Sequence, residues 1–102
     1  MLYIVYGQAE LFLPYCSSLK EKRKSIHGII SRVRKRFNIS ISEVEYHDLW
    51  QRSLIGFTAV GSQIAEVELI TNSIKDTFYN YAADIEIMGI RHEILKEDFS
   101  AK

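Results

Sequence analysis

The sequence predicts an α+β plait, a four-stranded antiparallel sheet carrying two helices on one face. Four segments are rich in β-branched and aromatic residues, two others repeat their apolar residues at helical spacing, and the order along the chain is βαββαβ. Two right-handed βαβ crossovers joined by a hairpin close into that arrangement, the ferredoxin-like fold. A chain of 102 residues suits a single domain. We place that domain at residues 1–95 and expect the polar residues 96–102 to form a flexible C-terminal tail.

The first strand is expected over residues 2–13 and stops at Pro14. Ser18-Leu19-Lys20-Glu21 reads as a capping box, with the Ser18 hydroxyl accepting from the Glu21 amide and Glu21 reaching back to the Ser18 amide. A helix therefore starts there. Its apolar positions, Leu19, Ile26, Ile29, Ile30, Val33 and Phe37, form one narrow stripe that stops at Asn38. Ile39 and Ile41 alternate with serines before Val44 and Tyr46 take up the opposite phase, which predicts a second strand with a β-bulge near Ser42 and Glu43. Residues 53–60 read as the third strand. Gly61 ends it, and Ser62 is the expected cap of a second helix running to about Ala82, with Ile64, Val67, Ile70, Ile74, Phe78 and Tyr81 on its packed face. Residues 84–95, with Ile85, Ile87, Ile90 and Ile94, complete the sheet.

At Glu10-Leu11-Phe12-Leu13-Pro14, Ser18-Leu19-Lys20-Glu21-Lys22-Arg23, residues 36–44 and Asp48-Leu49-Trp50-Gln51-Arg52, the chain resembles the YlxP-like family, a bacterial domain of unknown function. The resemblance runs from Leu2 to about Leu95. It implies a ferredoxin-like fold and no particular reaction. Genes of that family often lie beside those for transcription and translation factors, so the resemblance also implies work on RNA or the ribosome. Where members commonly carry Gly, Ala and His ahead of the Ser-Leu-Lys-Glu-Lys-Arg motif, this chain has Tyr15, Cys16 and Ser17. No histidine in that loop is available for chemistry.

Apolar residues make up 47% of the chain and charged residues 25%, which excludes disordered and low-complexity classes. Cys16 is the single cysteine, so no intrachain disulfide or thiolate metal cluster can form. With neither a signal-peptide pattern nor a long apolar run, a cytoplasmic location away from membranes is expected. Formal charge sums to zero but is unevenly placed. Residues 1–37 hold eight Lys/Arg against Glu10 and Glu21, leaving five Lys/Arg against eleven acids in the remainder. The first helix is thus a basic element on an acidic domain. Lys20, Lys22, Arg23, Lys24, His27, Arg34 and Lys35 are the candidate nucleic-acid-binding residues, with solvated helix surface as the competing explanation.

The sheet face away from the helices is the second candidate surface. With Val5, Ala9, Leu11, Ile55, Phe57, Ile85 and Ile87 pointing inward, Tyr6, Phe12, Leu54, Met88 and Ile90 point outward, together with His92. An exposed apolar face of this kind predicts a homodimer or other partner interface. RNA-recognition modules of the same topology carry two stacking aromatics on the third strand, and the outward positions here are Leu54, Gly56 and Thr58. Base stacking on the sheet is therefore not expected. The third candidate is the loop holding His47, Asp48, Trp50 and Arg52; there we favour Trp50 folding back over the core, with partner contact as the alternative.

Cys16 lacks an evident base, and the histidines lack metal-ligand spacing. Neither catalysis, a metal nor a cofactor is expected. The leading expectation is a non-enzymatic domain that binds RNA or a ribosomal particle through the basic first helix. The alternative is a homodimeric protein-interaction or small-molecule regulatory module assembled through the open sheet.

Overall fold

The computed structural model describes residues 1–81 and 83–99. Its elements run β1 (Leu2–Phe12), α1 (Leu19–Arg36), β2 (Ser40–Glu45), β3 (Arg52–Gly61), α2 (Ile64–Asn80) and β4 (Glu86–Glu97). The strands pair antiparallel in the order β2-β3-β1-β4, the expected ferredoxin-like plait. β4 continues through Lys96 and Glu97, which pair with Tyr3 and Leu2, so the first two residues assigned to the tail belong to the sheet. The end of that tail, residues 100–102, lies outside the described residues. No helix among the described residues is long and apolar enough to cross a membrane.

The core fills the space between sheet and helices. Val5, Ala9 and Leu11 of β1 and Ile55, Phe57 and Ala59 of β3 meet Ile26, Ile29, Ile30 and Val33 of α1 and Val67, Ile74 and Phe78 of α2. Period two in the strands and the helical stripes thus bury one common set, which is why these stretches fold as they do. Gly7 belongs to the same inward row. A Cβ there would lie 2.6 Å from the Phe57 ring, so the missing side chain is what lets that ring cross β1.

Two strands shift phase. In β2 the register passes from Glu43 opposite Ile55 to Glu45 opposite Leu54, placing the bulge at Val44, just beyond the expected site. In β4 it passes from Gly89 opposite Glu10 to Ile87 opposite Leu11, leaving Met88 unpaired. That extra residue inverts the rest of the strand. Ile90 consequently faces Ala9 and packs against the core, and His92 faces Gly7, so neither lies outward as expected.

The helix starts also differ in detail. Ser18 caps α1 as expected, its hydroxyl accepting from the Glu21 amide at 3.1 Å. The Glu21 carboxylate instead reaches one residue further back and accepts from the Ser17 amide at 2.8 Å. At α2 the cap position falls to Gln63 and no side chain caps it. Ser62 gives its amide to Glu66 Oε1 at 2.9 Å rather than using its hydroxyl as the cap.

Ser18→Ala is expected to lower the unfolding free energy by about 1 kcal/mol through the lost cap. Ile29→Ala should cost about 2 to 5 kcal/mol through lost burial and the cavity left behind. Urea titrations followed by circular dichroism check both, and an Ile29→Ala midpoint at the wild-type value would contradict the packing described.

Candidate nucleic-acid interface

Helix α1 carries its Lys and Arg residues over much of its surface, and the fold decides which of these charges reach water. Lys20, Arg23, Lys24, His27, Arg32, Arg34, Lys35 and Arg36 are exposed. Lys22 is not: its side chain has no solvent exposure. It stands on the buried stripe, four residues before Ile26, seven before Ile29 and eleven before Val33, and so points at the sheet rather than into solution. The expectation that Lys22 contacts nucleic acid is corrected on that ground.

The buried ammonium is fully engaged. Lys22 Nζ lies 3.0 Å from Glu43 Oε2 and donates to the carbonyl oxygens of Tyr46 at 2.6 Å, Arg52 at 3.2 Å and His47 at 3.4 Å. Glu43 Oε2 also accepts from the Ser53 hydroxyl at 2.6 Å. These acceptors come from both arms of the β2–β3 connection, so one side chain of α1 ties down the hairpin beneath it. Tyr46 takes a left-handed backbone conformation, φ 68°, unusual for a bulky residue, and its carbonyl makes the shortest of these contacts.

The hairpin carries its side chains outward. Trp50 is 53% exposed, so it does not fold back over the core, and Leu49 beside it is also exposed. Asp48, Leu49, Trp50, Gln51 and Arg52 line an open depression of about 500 Å³. Gln51 Nε2 donates to Pro14 O at 2.9 Å, bracing the loop against the β1–α1 connection. Arg52 pairs with the Glu10 carboxylate on the open sheet face and stacks over the Tyr46 ring, 4.2 Å from its centroid. His47 Nε2 lies 3.2 Å from the Glu43 carbonyl oxygen. Arg52, His47 and Gln51 therefore organise the turn, whereas Trp50 and Leu49 are presented by it.

A second groove opens between the helices. Gly28 has no side chain where Tyr81 crosses α1; a Cβ there would stand 2.1 Å from the Tyr81 hydroxyl. Around this crossing His27, Ser31, Arg32, Lys35, Arg36 and Tyr81 line a depression of about 610 Å³. The Arg32 guanidinium sits 5.3 Å from the Tyr81 ring centroid. Arg36 donates to Thr77 Oγ1 at 3.4 Å. Arg32, Arg36 and Tyr81 were absent from the candidate set read from sequence. A glycine within a helix, facing a tyrosine near the end of the other helix, is the signal for this crossing. On the opposite flank Arg34 gives a 2.9 Å hydrogen bond to Ile41 O at the β2 edge.

Of the sheet-face candidates, Tyr6 and Met88 are exposed, while Phe12 and Leu54 are half-buried. Cys16 lies in a separate depression of about 210 Å³ near Glu21, Lys24 and Asp84. Burial first, and the nearby Glu21 carboxylate second, push its thiol above the ordinary value of 9.0. That direction keeps it protonated at neutral pH, the reverse of what activates a nucleophilic cysteine.

The family model described as a protein of unknown function, DUF503, matches residues 4–92. The uncharacterized protein YlxP of Bacillus subtilis (strain 168) is 42% identical over 65 residues, covering 64% of this chain and 71% of that protein. Among solved structures, the de novo designed protein Foldit4 superposes with a TM-score of 0.52 at 7% identity, covering 94% of this chain and 99% of the other. A C-terminal segment of the alpha subunit of aIF2 from Pyrococcus abyssi gives 0.52 at 13% identity, covering 96% of this chain and 52% of that one. At such low identities these two likenesses concern the fold.

Removing Lys22 strands Glu43 and three carbonyls, so Lys22→Ala is expected to destabilise by about 3 to 5 kcal/mol. Arg23→Ala next to it should stay within about 0.5 kcal/mol. Thermal melts of the two variants, compared with wild type, check the contrast. For Cys16, alkylation in the folded protein should be slower than in the unfolded chain, and Glu21→Gln should recover part of the rate. Because the folded thiol holds its proton to higher pH, stability should decline as pH rises through the unfolded thiol's value, which a pH series of melts measures.

Proposed function

We propose an RNA-binding role for this chain, which belongs to the DUF503 family of proteins of unknown function. The observation that carries the reading is the exposed cationic surface of α1. Lys20, Arg23, Lys24, His27, Arg32, Arg34, Lys35 and Arg36 remain in solvent after the core and the Lys22 tether have taken their share. Such a row suits a phosphate backbone, with affinity drawn from neutralised phosphates and counterion release. The groove at His27, Ser31, Arg32, Lys35 and Tyr81 offers hydroxyl and guanidinium donors to a phosphate. Trp50 supplies an exposed ring at the hairpin that the same helix holds in place, and an unpaired base can stack on it. Structured RNA with an accessible loop, or a ribosomal particle displaying one, fits both features. In this reading the sheet takes no part in base recognition.

A salt series of binding to ribosomal RNA and to ribosomal subunits tests it. Saturable binding that weakens steeply with salt is expected. Lys20→Glu, Lys24→Glu and Lys35→Glu combined should flatten the slope of log K against log salt by about 2 to 3, from roughly 0.7 to 0.9 per lost phosphate contact. Thermal melts of this variant should stay close to wild type. Trp50 is the single tryptophan, so its fluorescence reports directly on stacking. Unchanged affinity in the triple variant would overturn the role of α1, and unchanged fluorescence at saturation would remove Trp50 from it.

A further inference from the structure

We propose that β4 is a homodimerisation edge, on which a second copy of the chain pairs antiparallel about a two-fold axis at His92. The sheet order leaves β4 at one border and β2 at the other. The two borders are treated differently. At β2 the strand is short, the Val44 bulge breaks its register, and Arg34 covers the Ile41 carbonyl. β4 is twelve residues long, and from Gly89 to Glu97 it pairs without interruption to β1. Its outer edge pairs with no other strand of the sheet. Long uncovered edges of this kind are templates for another strand.

The side chains then favour a register centred on His92 over its immediate neighbours. A two-fold axis normal to the sheet keeps helix-side residues on the helix side, so only registers centred on a residue are allowed. Centred on Arg91 or on Glu93, the strand sets like charges face to face. Centred on His92, Arg91 faces the partner's Glu93 and Glu93 faces the partner's Arg91 on the open side, while Ile90 faces the partner's Ile94 on the helix side. Within one chain, Arg91 and Glu93 stand beside Gln8 and Tyr6, and neither belongs to an ion pair among the described residues.

Helix α2 repeats the pattern at the same level. Glu68, Thr71 and Asn72 line a depression of about 320 Å³ with His92 and Ile94, which places the middle of the helix beside the axis. Glu68 and Lys75 share one flank, seven residues apart and roughly symmetric about that level. The axis therefore sets each opposite its counterpart of opposite sign in the second copy. With strands about 4.8 Å apart, the two α2 helices come within roughly 10 to 14 Å, close enough for their long side chains to meet.

Light scattering on the full chain across a concentration series tests the edge. The expected result is twice the monomer mass for wild type, monomer for Glu93→Arg, and the dimer restored when Arg91→Glu is added to Glu93→Arg. Leu54→Glu, on the open sheet face at β3, should leave the dimer intact. As an independent readout, His92→Cys in a Cys16→Ser background should form an interchain disulfide under glutathione disulfide, since directly opposed residues lie at bridgeable separation. A wild-type monomer throughout the series, a Glu93→Arg dimer as firm as wild type, or dissociation by the Leu54 change alone would overturn the proposal. The interface leaves α1 free, so loss of RNA binding and loss of dimer are separable outcomes.

Discussion

The Lys22 ammonium is the constraint on which the functional end of the molecule depends. Taking a lone charge out of water costs several kcal/mol, and the chain meets that cost with Glu43 and three backbone carbonyls gathered from the β2–β3 connection. A hydrophobic residue of similar length could fill the same space, but it would leave the hairpin carbonyls without a donor. Lysine suits the position because its point charge can be approached from several directions, whereas a planar guanidinium would ask for a wider, forked set of acceptors. The pair thereby fixes geometry: the left-handed Tyr46 and the turn beyond it are held in one arrangement under the first turns of α1.

That tether joins two surfaces that the sequence presents as separate. The basic face of α1 and the loop bearing Trp50 are far apart in the chain, yet Lys22 holds the loop against the helix and Gln51 braces it to the β1–α1 connection. Meanwhile the Gly28–Tyr81 crossing opens a cationic groove on the other flank. The α1 side of the domain is thus positively charged, while the β4 side exposes charges of both signs, Arg91 and Glu93. One fold thus presents two borders of different chemistry.

Most of the architecture was legible because the two periodicities are clean and the breakers fall between them. Ser18 and the isoleucines of α1 placed its start and its buried face. The discrepancies have identifiable physical origins. Lys22 sits on the apolar stripe by spacing, but its charge argued for water, and only the inward phase of Glu43, two residues after Ile41, hints at a buried partner. In β4 the apolar residues Ile85, Ile87, Ile90 and Ile94 step by two, three and four; the three-residue step marks the bulge that turns Ile90 inward. Trp50 could not be placed from local pattern, because a ring on a short loop packs or projects according to what the opposite layer leaves open. The inter-helix groove needs two residues more than fifty positions apart, and no local window contains both.

The burial of one amine among exposed ones has a consequence for chemical modification. An acylating reagent, or an enzyme that acylates lysines, finds Lys20, Lys24 and Lys35 accessible on the folded chain and passes over Lys22, whose amine is hydrogen-bonded and closed to solvent. The motif Ser-Leu-Lys-Glu-Lys-Arg therefore holds two lysines with opposite reactivity two residues apart. Acylation at Lys22 would mark molecules whose hairpin had come away from the helix, or chains caught before it had docked.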